Sequence, residues 1–587
     1  MEELLQKKSN KKIVLLGNEG VIRGALEAGV QFVSTYPGTP ASEIGNIFYK
    51  IAKKAGVYFE FSTNEKVAME AAAGASFCGL RSLVAMKHFG LNVASDFFLT
   101  LMYGGVKGGM VIFNADDPSC WSSAQSEQNA RYYSLMAHIP TLEPSTPQEC
   151  KDFTKLAFEL SEKFKIPIII RTTTRVSHQS APVSLEKIKK LNRKPVFVKD
   201  LDKFSTMPPR VLEMKRELLE KIKAVKELSE KSKINIIKNQ QPTSEKRVGI
   251  ITSGVSYLYV MEALKELNLK LPVLKLGFIY PLPEEKIKKF ISRAHTGEGK
   301  DESKALSNRK MKKVLIVEEL EPYLEREIKI LAKDINPKLE ILGKEKGPIE
   351  GGRIWKDRKN ILPEIGELKP EYVISAVAKI TGKKTKTDFN RHLKEFEKVK
   401  ALGRPPILCP GCPYWFIVSA IKKAVDLKKV VFGGEIGCYM LFRHPTINIQ
   451  DYLYCMGSTN GLAHGISKSS KQKVITFIGD SSFFHSGIPP LINTVFNKSN
   501  PLIFILNNKA TAMTGHQPHP GIGKKEEENG TEAVEIEKIV KACGVKNLKV
   551  IDQKSNQKEL EKTIKNFLKK DEVSVIIARS PCLFVKK

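Results

Sequence analysis

Short apolar runs alternate with longer helical segments along most of the chain, and this alternation constrains the fold more than any other feature. The runs have the length of buried strands, and several end in a turn with glycine or proline before the next helical segment. Strands that are connected by helices form parallel sheets. We therefore predict an α/β fold with three doubly wound parallel-sheet domains. The predicted strands include residues 13–16, 83–86, 110–113, 166–170, 248–252, 430–432, 474–478, 502–506 and 573–578.

Two interruptions of this alternation divide the chain into blocks. A length of 587 residues suits about three to five domains. The first interruption is rich in lysine and contains a predicted exposed helix at 209–230, while the polar stretch 295–310 is predicted to be a surface insertion. The predicted parts are a first α/β domain (1–190), a linker with a helix (191–245), a second α/β domain (246–350), a connecting segment (351–400) and a third α/β domain (401–587).

The chain is strongly basic, with a formal net charge of +31 at pH 7. Such charge attracts phosphate, so nucleic-acid binding has to be considered. The lysines are spread along the chain, however, and no zinc-finger, helix-turn-helix or RNA-recognition signature accompanies them. We therefore expect no nucleic acid among the partners. A generally lysine-rich proteome would explain the charge, and so would a docking surface for an acidic electron carrier.

No stretch of the sequence approaches the roughly 20 consecutive apolar residues that a membrane-spanning helix needs. The first residues, MEELLQKKSNKK, lack the apolar segment of a secretory signal. We therefore expect a soluble, cytoplasmic protein without a membrane partner.

Two neighbouring strands of the third block end in polar pairs. The run VITFIGD ends in Gly479 and Asp480, and the run LIFILNN ends in Asn507 and Asn508. Because ligands bind at the carboxyl ends of strands in such sheets, Asp480 and Asn508 can converge on one point. A carboxylate and an amide oxygen suit Mg²⁺ on a diphosphate, and glycine lets the backbone approach phosphate closely. The alternative interpretation is that these polar pairs are the ends of two ordinary strands in an α/β domain that binds no cofactor there.

Four cysteines of the third block form a possible metal or cluster site. Cys409 and Cys412 have C-x2-C spacing, while Cys438 and Cys582 each follow a predicted strand. Four thiolates suit Zn²⁺ or a 4Fe-4S cluster equally well, and buried cysteines without a ligand are a further alternative. The cysteines expected in the core are Cys78, Cys120, Cys150 and Cys543.

The segment GDSS…NN…TAMTG resembles the thiamine-diphosphate-binding fold, and within it the indolepyruvate type of the 2-oxoacid:ferredoxin oxidoreductases. Ser481 stands where the wider family has the third residue of its Gly-Asp-Gly motif. The resemblance extends over nearly the whole chain, in the order pyrimidine-binding domain, transketolase C-terminal-like domain and diphosphate-binding domain. It implies that the first and third blocks have the thiamine-diphosphate-binding fold.

The resemblance also implies roles for residues of the third block. Asp480, Asn508 and the backbone carbonyl of Ala510 would bind Mg²⁺, and the four cysteines Cys409, Cys412, Cys438 and Cys582 would hold a 4Fe-4S cluster. Cys455 would line the thiamine pocket without binding a metal. The further residues expected to bind thiamine diphosphate in this block are Gly437, Met456, Gly479 and Ser481, together with Asp480 and Asn508.

In the first block, thiamine activation needs a carboxylate against the aminopyrimidine ring. Glu65, which precedes Gly74 and Ala75, resembles the family's glutamate, while Glu70 is a competing candidate one helical turn away. The alternative for Glu65 is an acidic residue that stabilises a helix N-terminus. Thr39, in the segment STYPGTPASE, would contact the 2-oxoacid, although a Pro-Gly turn is compatible with the same sequence.

Several weaker candidates accompany these residues. Arg131 could contact a carboxylate, although such an arginine more often forms a structural ion pair. A histidine most often forms only local hydrogen bonds. The remaining candidates are His88 and Asn92, expected to face the active site, and His485, His516 and His519, which lie near the Mg²⁺ motif in sequence.

The activity implied by the resemblance is oxidative decarboxylation of an aryl 2-oxoacid to an acyl-CoA, with electrons passing through the cluster to ferredoxin. Coenzyme A and a smaller γ- or β-type subunit would be partners. Subunits of the indolepyruvate type usually end in a ferredoxin-like domain, whereas this sequence stops at Lys587, soon after Cys582. We therefore expect a separate ferredoxin or ferredoxin-like subunit. The alternatives are a non-oxidative thiamine decarboxylase or ligase with structural zinc, and a non-catalytic scaffold.

Overall fold

The computed structural model describes residues 2–6, 11–122, 124–238, 247–292, 311–344, 361–385, 389–399, 406–523 and 531–585. The chain divides into two compact units, one of Met1–Glu60 and Glu65–Ala401 and the other of Phe61–Asn64 and Leu402–Lys587. The predicted surface insertion at 295–310 lies outside the described residues. No helix in the described ranges is long and apolar enough to cross a membrane.

The first unit contains a seven-stranded sheet whose central strands are buried along their whole length. The strands pair in the order β12-β6-β7-β5-β4-β2-β3, and the pairs β2–β4, β4–β5, β5–β7 and β6–β7 are parallel. Burial on both faces explains why these strands are continuous apolar runs in the sequence. The bounds are β2 (Phe32–Thr35), β3 (Tyr58–Phe61), β4 (Ser82–Lys87), β5 (Met110–Asp116), β6 (Thr141–Leu142), β7 (Ile168–Thr173) and β12 (Phe278–Tyr280).

The helices of this part connect the strands. Their bounds are α1 (Gly17–Glu27), α2 (Ser42–Ala55), α3 (Glu65–Phe77), α4 (His88–Gly104), α5 (Arg131–Ala137), α6 (Pro147–Phe164) and α7 (Thr174–His178). After them come α8 (Leu201–Phe204) and α9 (Arg210–Lys231). The helix α9 confirms the long helix predicted at 209–230. It buries one face through Met214, Leu218 and Ile222, so the expectation of an exposed helix is only partly right. Of its lysines, Lys223 and Lys231 are exposed, whereas Lys215, Lys221 and Lys226 are half-buried.

The strand predicted at 13–16 exists, but its expected place in a parallel sheet is wrong. It is β1 (Lys12–Leu16), which pairs antiparallel with β8 (Ser180–Ser184) in a separate two-stranded sheet. Burial alternates along β1, and Val14 is 65% exposed. A strand that exposes every second residue cannot lie in the middle of a sheet that is covered on both faces.

A five-stranded sheet, in the order β14-β13-β10-β11-β9, also lies in the first unit. Its bounds are β9 (Ile236–Lys238), β10 (Val248–Ser253), β11 (Val273–Leu276), β13 (Lys313–Val317) and β14 (Glu340–Leu342), with helices α10 (Ser256–Glu266), α11 (Glu284–Ser292), α12 (Tyr323–Ile335), α13 (Pro370–Thr381) and α14 (Phe389–Lys398). The short strand β12 comes from the same stretch of chain but pairs with β6 of the seven-stranded sheet. The predicted first and second blocks therefore belong to one compact unit.

The second unit contains a six-stranded parallel sheet in the order β16-β15-β17-β18-β20-β19. Its bounds are β15 (Val430–Gly434), β16 (Tyr452–Leu453), β17 (Lys473–Gly479), β18 (Leu502–Asn507), β19 (Asn547–Ile551) and β20 (Ser574–Arg579). The helices are α15 (Tyr414–Ala424), α16 (Ser458–Ser469), α17 (Asp480–Ser482), α18 (Ile488–Phe496), α19 (Ile536–Ala542) and α20 (Gln557–Phe567). The three mainly parallel sheets confirm the predicted fold class, while the exact domain boundaries stay predictions.

Candidate functional site

The carboxyl ends of β17 and β18 bring Asp480 and the Asn508 turn together. The two strands pair in parallel register, with Gly479 opposite Leu506. The buried carboxylate of Asp480 accepts hydrogen bonds from the backbone amides of Ser481 (2.9 Å) and Lys509 (2.8 Å). Asn508 is also buried, and its Oδ1 accepts from the amide of Ala510 at 3.1 Å. The side chains predicted to bind Mg²⁺ therefore lie at one edge of the sheet.

His519, one of the weaker candidates near the Mg²⁺ motif in sequence, lies against the same carboxylate. Its Nε2 is 3.1 Å from Oδ2 of Asp480, both side chains are almost fully buried, and its Nδ1 accepts from the amide of Gly521 at 3.1 Å. A divalent cation at Asp480 would therefore have this imidazole as a close neighbour at Oδ2. His485 is buried too, but the hydrogen bond of its Nδ1 is local, to Ser486.

The ring of Tyr439 lies beneath two of the predicted cofactor-binding glycines. A Cβ placed on Gly437 would come within 2.3 Å of the Tyr439 ring, and one placed on Gly479 would come within 3.1 Å. Gly457 has φ of +79° and packs so closely on Ser486 that a Cβ would lie 2.4 Å from that side chain. The glycines therefore permit close backbone packing at this edge, where a phosphate could approach the main chain.

Glu435 is a buried carboxyl group at this edge that the sequence analysis missed. The hydroxyl of Tyr439 donates to its Oε1 at 2.8 Å, and the amide of Gly457, next to the half-buried Met456, donates to its Oε2. Burial raises the pKa of Glu435 to about 7, although these hydrogen bonds favour the ionised form. A charged residue directly after the apolar run VVFGG was the available indication, as it was for Asp480.

The four predicted cluster cysteines line a single cavity of about 60 Å³. Cys409 and Cys412 precede α15, Cys438 follows β15 and Cys582 follows β20. The cavity is also lined by Asn508 and by the buried Tyr414. Burial, together with the neighbouring thiols, raises the pKa of Cys438 to about 12, and burial raises the pKa of Cys412. The structure therefore places the four cysteines around one space.

The donor set around this cavity is four thiols, which by their chemistry suit either Zn²⁺ or a 4Fe-4S cluster. Within the described ranges, no three histidine, cysteine, aspartate or glutamate side chains are arranged to hold a metal ion. A tetrahedral zinc site needs its sulfur ligands about 2.3 Å from one centre, whereas the four thiolates of a 4Fe-4S cluster bind four different irons. The other cysteine of this region, Cys455, is exposed.

Glu65 and Glu70 differ clearly in their surroundings. Glu65 is the first residue of α3 and is buried, and its side chain packs so closely on Gly90 that a Cβ there would lie 2.7 Å from Glu65 Cγ. Glu70 is partly exposed and forms an ion pair with Lys66 in the next turn of the same helix. These surroundings favour Glu65 as the buried carboxylate that a cofactor would need.

The loop that carries Thr39 lies against a buried lysine that the sequence analysis also missed. The carbonyl of Thr39 accepts from the hydroxyl of Ser122 at 3.2 Å, and a Cβ on Gly38 would be 3.1 Å from that of Lys87. Lys87 Nζ lies 3.4 Å from the buried carboxylate of Asp117 and donates to the carbonyl of Ser122 at 3.0 Å. Burial lowers the pKa of Lys87, an effect that Asp117 partly offsets.

Arg131 forms a structural ion pair, so its weaker interpretation as a contact for a substrate carboxylate is not supported. The fully buried guanidinium lies 2.7 Å from Glu143 and 3.0 Å from Glu318. Because these two carboxylates already balance the charge of the guanidinium, Arg131 does not need a bound carboxylate as a partner. Asn92 is exposed, with its side chain engaged by Gln128 and Tyr133, whereas His88 is buried and burial lowers its pKa.

Of the cysteines expected in the core, Cys150 is fully buried in the first unit. Cys78, Cys120 and Cys543 are only partly buried. They lie at the edges of packed regions, where a small apolar side chain is readily accommodated.

Two family models match the chain. The model described as "Thiamine pyrophosphate enzyme, C-terminal TPP binding domain" matches residues 435–578. The model described as "Pyruvate flavodoxin/ferredoxin oxidoreductase, thiamine diP-bdg" matches residues 23–247. The first range contains the Asp480 and Asn508 turns, and the second contains Thr39, Glu65 and Lys87.

Several curated proteins are similar over almost the whole chain. The indolepyruvate oxidoreductase subunit IorA of Methanothermobacter marburgensis is 42% identical, over 99% of this chain and 89% of its own length. The protein of the same name from Thermococcus kodakarensis is 40% identical, over 99% of this chain and 88% of its own length. A solved 2-oxoglutarate:ferredoxin oxidoreductase from Magnetococcus marinus is 17% identical, with a TM-score of 0.47 over 63% of this chain and 65% of that one.

An identity of about 40% over 99% of the chain is decisive for membership of a family. The chain therefore belongs to the family of the indolepyruvate oxidoreductase subunit IorA, among the thiamine-diphosphate-dependent 2-oxoacid:ferredoxin oxidoreductases.

Proposed function

We propose that this chain catalyses the oxidative decarboxylation of an aryl 2-oxoacid to an acyl-CoA and passes the electrons through a 4Fe-4S cluster to ferredoxin. The observation that carries the proposal is the single cavity lined by Cys409, Cys412, Cys438 and Cys582 together with Asn508. An electron outlet beside the diphosphate-binding edge distinguishes an oxidoreductase from a non-oxidative thiamine enzyme.

The same cavity favours iron over zinc. Four cysteines surround it, but no three donors of the described chain are arranged for one metal ion. One thiolate for each iron is the arrangement of a 4Fe-4S cluster. When bound, the cluster supplies a one-electron outlet. The cysteines hold it, and the apolar side chains of Leu441 and Leu583 in the cavity wall limit the access of water.

For the diphosphate half of the cofactor, we assign Asp480, Asn508 and the carbonyl of Ala510 to Mg²⁺. One carboxylate and two neutral oxygens are hard ligands, which suit this ion when phosphate oxygens complete its shell. Gly437 and Gly479 lack the Cβ that would clash with the Tyr439 ring, so the main chain of this edge keeps its course, and we assign both glycines to the phosphates. Ser481 and Met456 complete the proposed set of cofactor contacts. When bound, thiamine diphosphate supplies the electron sink for decarboxylation.

For the pyrimidine half, we assign Glu65. A buried carboxylate can hold a proton at N1′ of the aminopyrimidine and so favour the tautomer whose 4′-nitrogen acts as a base. Glu65 is buried within the first turn of α3, and the neighbouring Gly90 leaves space for its side chain. Glu70 is less suitable because Lys66 already neutralises it.

The substrate carboxylate is assigned to Thr39 and Lys87. Both belong to the first unit, and the glycine between Pro37 and Thr39 packs directly on Lys87. A cation in a buried place attracts a carboxylate strongly, because little water screens it. The aryl nature of the substrate is proposed from the name of the IorA relatives, which are indolepyruvate oxidoreductases.

The proposed partners are coenzyme A, a smaller γ- or β-type subunit, and ferredoxin or a ferredoxin-like subunit. The relatives are named as subunits, which supports an assembly of more than one chain. A net charge of +31 would favour encounter with an acidic carrier such as ferredoxin.

The experiment is to purify the protein, with its partner subunit, without oxygen. The visible spectrum is recorded, and iron and zinc are counted on the same sample. About four irons per chain and a broad absorbance are expected for one cluster. Addition of indolepyruvate or phenylpyruvate with coenzyme A should bleach that absorbance, whereas pyruvate and 2-oxoglutarate should do so slowly.

Each of the other outcomes would contradict one particular statement of the proposal. About one zinc and no iron after reconstitution would replace it with a non-oxidative enzyme. Bleaching by 2-oxoglutarate in preference to the aryl acids would contradict the substrate class and leave the electron path intact. Iron without bleaching by any 2-oxoacid would favour a scaffold.

A further inference from the structure

His516 lies on a closed turn that follows β18. The amide of Thr511 donates to the carbonyl of Gln517 at 3.1 Å, and the amide of His516 donates to the carbonyl of Thr511 at 3.0 Å. The side chain of Gln517 donates to the carbonyl of Thr514 at 2.6 Å. These contacts close the turn without using the imidazole of His516, so the ring is not required to form it.

The backbone of His516 is in a conformation that most residues with a Cβ avoid. Its φ is +64°, in the left-handed region that glycine adopts readily and a residue with a Cβ adopts rarely. Histidine is among the residues that are enriched in this region, so the turn accommodates His516, and the direction of its imidazole carries the inference.

The imidazole is directed at one of the four cavity cysteines. Its Nε2 lies 3.5 Å from Sγ of Cys582, and its ring packs against Phe584 with the centroids 6.1 Å apart. In the described part of the chain, Cys582 is the one of the four cysteines whose sulfur has a side chain as a hydrogen-bond partner. The exposed His516 therefore caps the solvent side of that sulfur.

We propose that His516 donates an Nε2–H···S hydrogen bond to the Cys582 thiolate and thereby raises the reduction potential of the bound cluster. The inference rests on the proposed function, since it requires the cluster. A donor at a thiolate withdraws electron density from the iron–sulfur centre and stabilises its more negative, reduced form. His516 is thus a positioning residue that acts through Cys582.

The test is a redox titration of the protein, purified without oxygen together with its partner subunit. His516→Phe keeps an aromatic ring beside Phe584 but removes the donor, whereas His516→Gln keeps an N–H donor. The first change should make reduction of the cluster about tenfold less favourable, which is about 59 mV for one electron. His516→Gln should retain most of the original potential. His444→Phe is the matched control, because His444 is a half-buried histidine of the same unit that bonds to Thr446 instead.

An unchanged potential in iron-loaded His516→Phe would overturn the inference. If that variant loses iron, the hydrogen bond is tested directly by electron–nuclear double resonance of the wild-type protein labelled with ¹⁵N-histidine. Coupling of the reduced cluster to one histidine nitrogen and one exchangeable proton is expected. The coupling to the histidine nitrogen should be absent in His516→Gln, whereas the coupling to an exchangeable proton should persist there and be absent in His516→Phe. No such coupling in the wild-type protein would overturn the inference. A wild-type protein without iron would contradict the proposed function itself.

Discussion

The backbone amide of Cys582 donates a hydrogen bond of 2.9 Å to the backbone carbonyl of Asn508. The amide of Ser580 likewise donates to the carbonyl of Asn507, at 3.2 Å. These bonds fasten the segment after β20 to the turn after β18. A residue proposed to bind the cluster and a residue proposed to bind Mg²⁺ therefore share one hydrogen-bonded edge, although they are 74 positions apart in the chain, at 582 and 508.

Replacement of cavity cysteines should remove iron without removing the diphosphate site. Cys582→Ser and Cys412→Ser are each expected to lower the iron content from about four per chain to near zero. Thiamine diphosphate should still bind to Cys582→Ser, because serine keeps the backbone amide that bonds to Asn508. Cys543→Ser is the control, since Cys543 packs in another cluster of the same unit. Iron analysis and calorimetric titration check both expectations, and full iron in both variants would contradict the assignment.

Asp480→Asn should weaken the binding of thiamine diphosphate by about tenfold or more in the presence of Mg²⁺, because an ionic ligand is replaced by a neutral one. The asparagine can still accept from the amide of Lys509, so the turn should persist. Asp552→Asn is the matched control, since Asp552 also follows a strand of this sheet but caps an exposed turn. Calorimetry with Mg²⁺ and with EDTA measures the effect. If the wild-type protein and Asp480→Asn bind thiamine diphosphate with equal affinity in the presence of Mg²⁺, Asp480 is excluded as a ligand of Mg²⁺.

Glu65→Gln should lower turnover by about 10²-fold or more, because general acid–base assistance contributes roughly that much. Glu70→Gln, five residues further along α3, should retain activity, since Glu70 is engaged on the surface by Lys66. The measurement is cluster reduction by a 2-oxoacid at saturating thiamine diphosphate. The reverse result, with Glu70 essential and Glu65 dispensable, would move the assignment by one helical turn.

Lys87→Met should raise KM for the 2-oxoacid more than it lowers kcat, because the lysine is assigned to binding of the substrate carboxylate. Lys87→Arg keeps the positive charge beside Asp117 and should restore part of the affinity. Circular dichroism of both variants checks that they fold, because each substitution changes the group that lies beside the buried Asp117. A methionine variant that folds and has the KM of the wild-type protein would show that Lys87 only pairs with Asp117.

Glu435 should make the stability of the protein depend on pH. Its pKa is about 7 in the folded protein and 4.5 ordinarily, so the folded state binds more protons between these values. Stability from this group is therefore fully present below about pH 4.5 and is lost as pH rises through about 7. Relative to Glu435→Gln, the free energy of unfolding should fall by about 3 kcal/mol over this range.

Denaturant unfolding of the two proteins at pH values from about 5 to about 8 tests this expectation. Glu559→Gln is the control, because Glu559 lies on the surface of the same unit in an ion pair with Lys549. Parallel pH profiles for the wild-type protein and Glu435→Gln would mean that Glu435 stays ionised in the folded state.

The sequence by itself determined the fold class and the positions of the main candidate site residues. The strands β17 and β18 are mainly apolar runs, so their ends, and with them Asp480 and Asn508, are visible without coordinates. The same local pattern predicted α9 and placed Cys438 and Cys582 directly after strands. Local periodicity is sufficient here because a buried strand needs apolar residues along its whole length.

Only the tertiary structure decided which residues face one another. The pairing of β1 with β8, the ion pairs of Arg131, the burial of Lys87 and Glu435, and the approach of His516 to Cys582 each join residues that are far apart or not apolar. Such contacts depend on how packed elements meet, and a side chain's sequence neighbours carry little information about them. Charge and burial at a site are therefore read from the fold, because they are set by partners from distant parts of the chain.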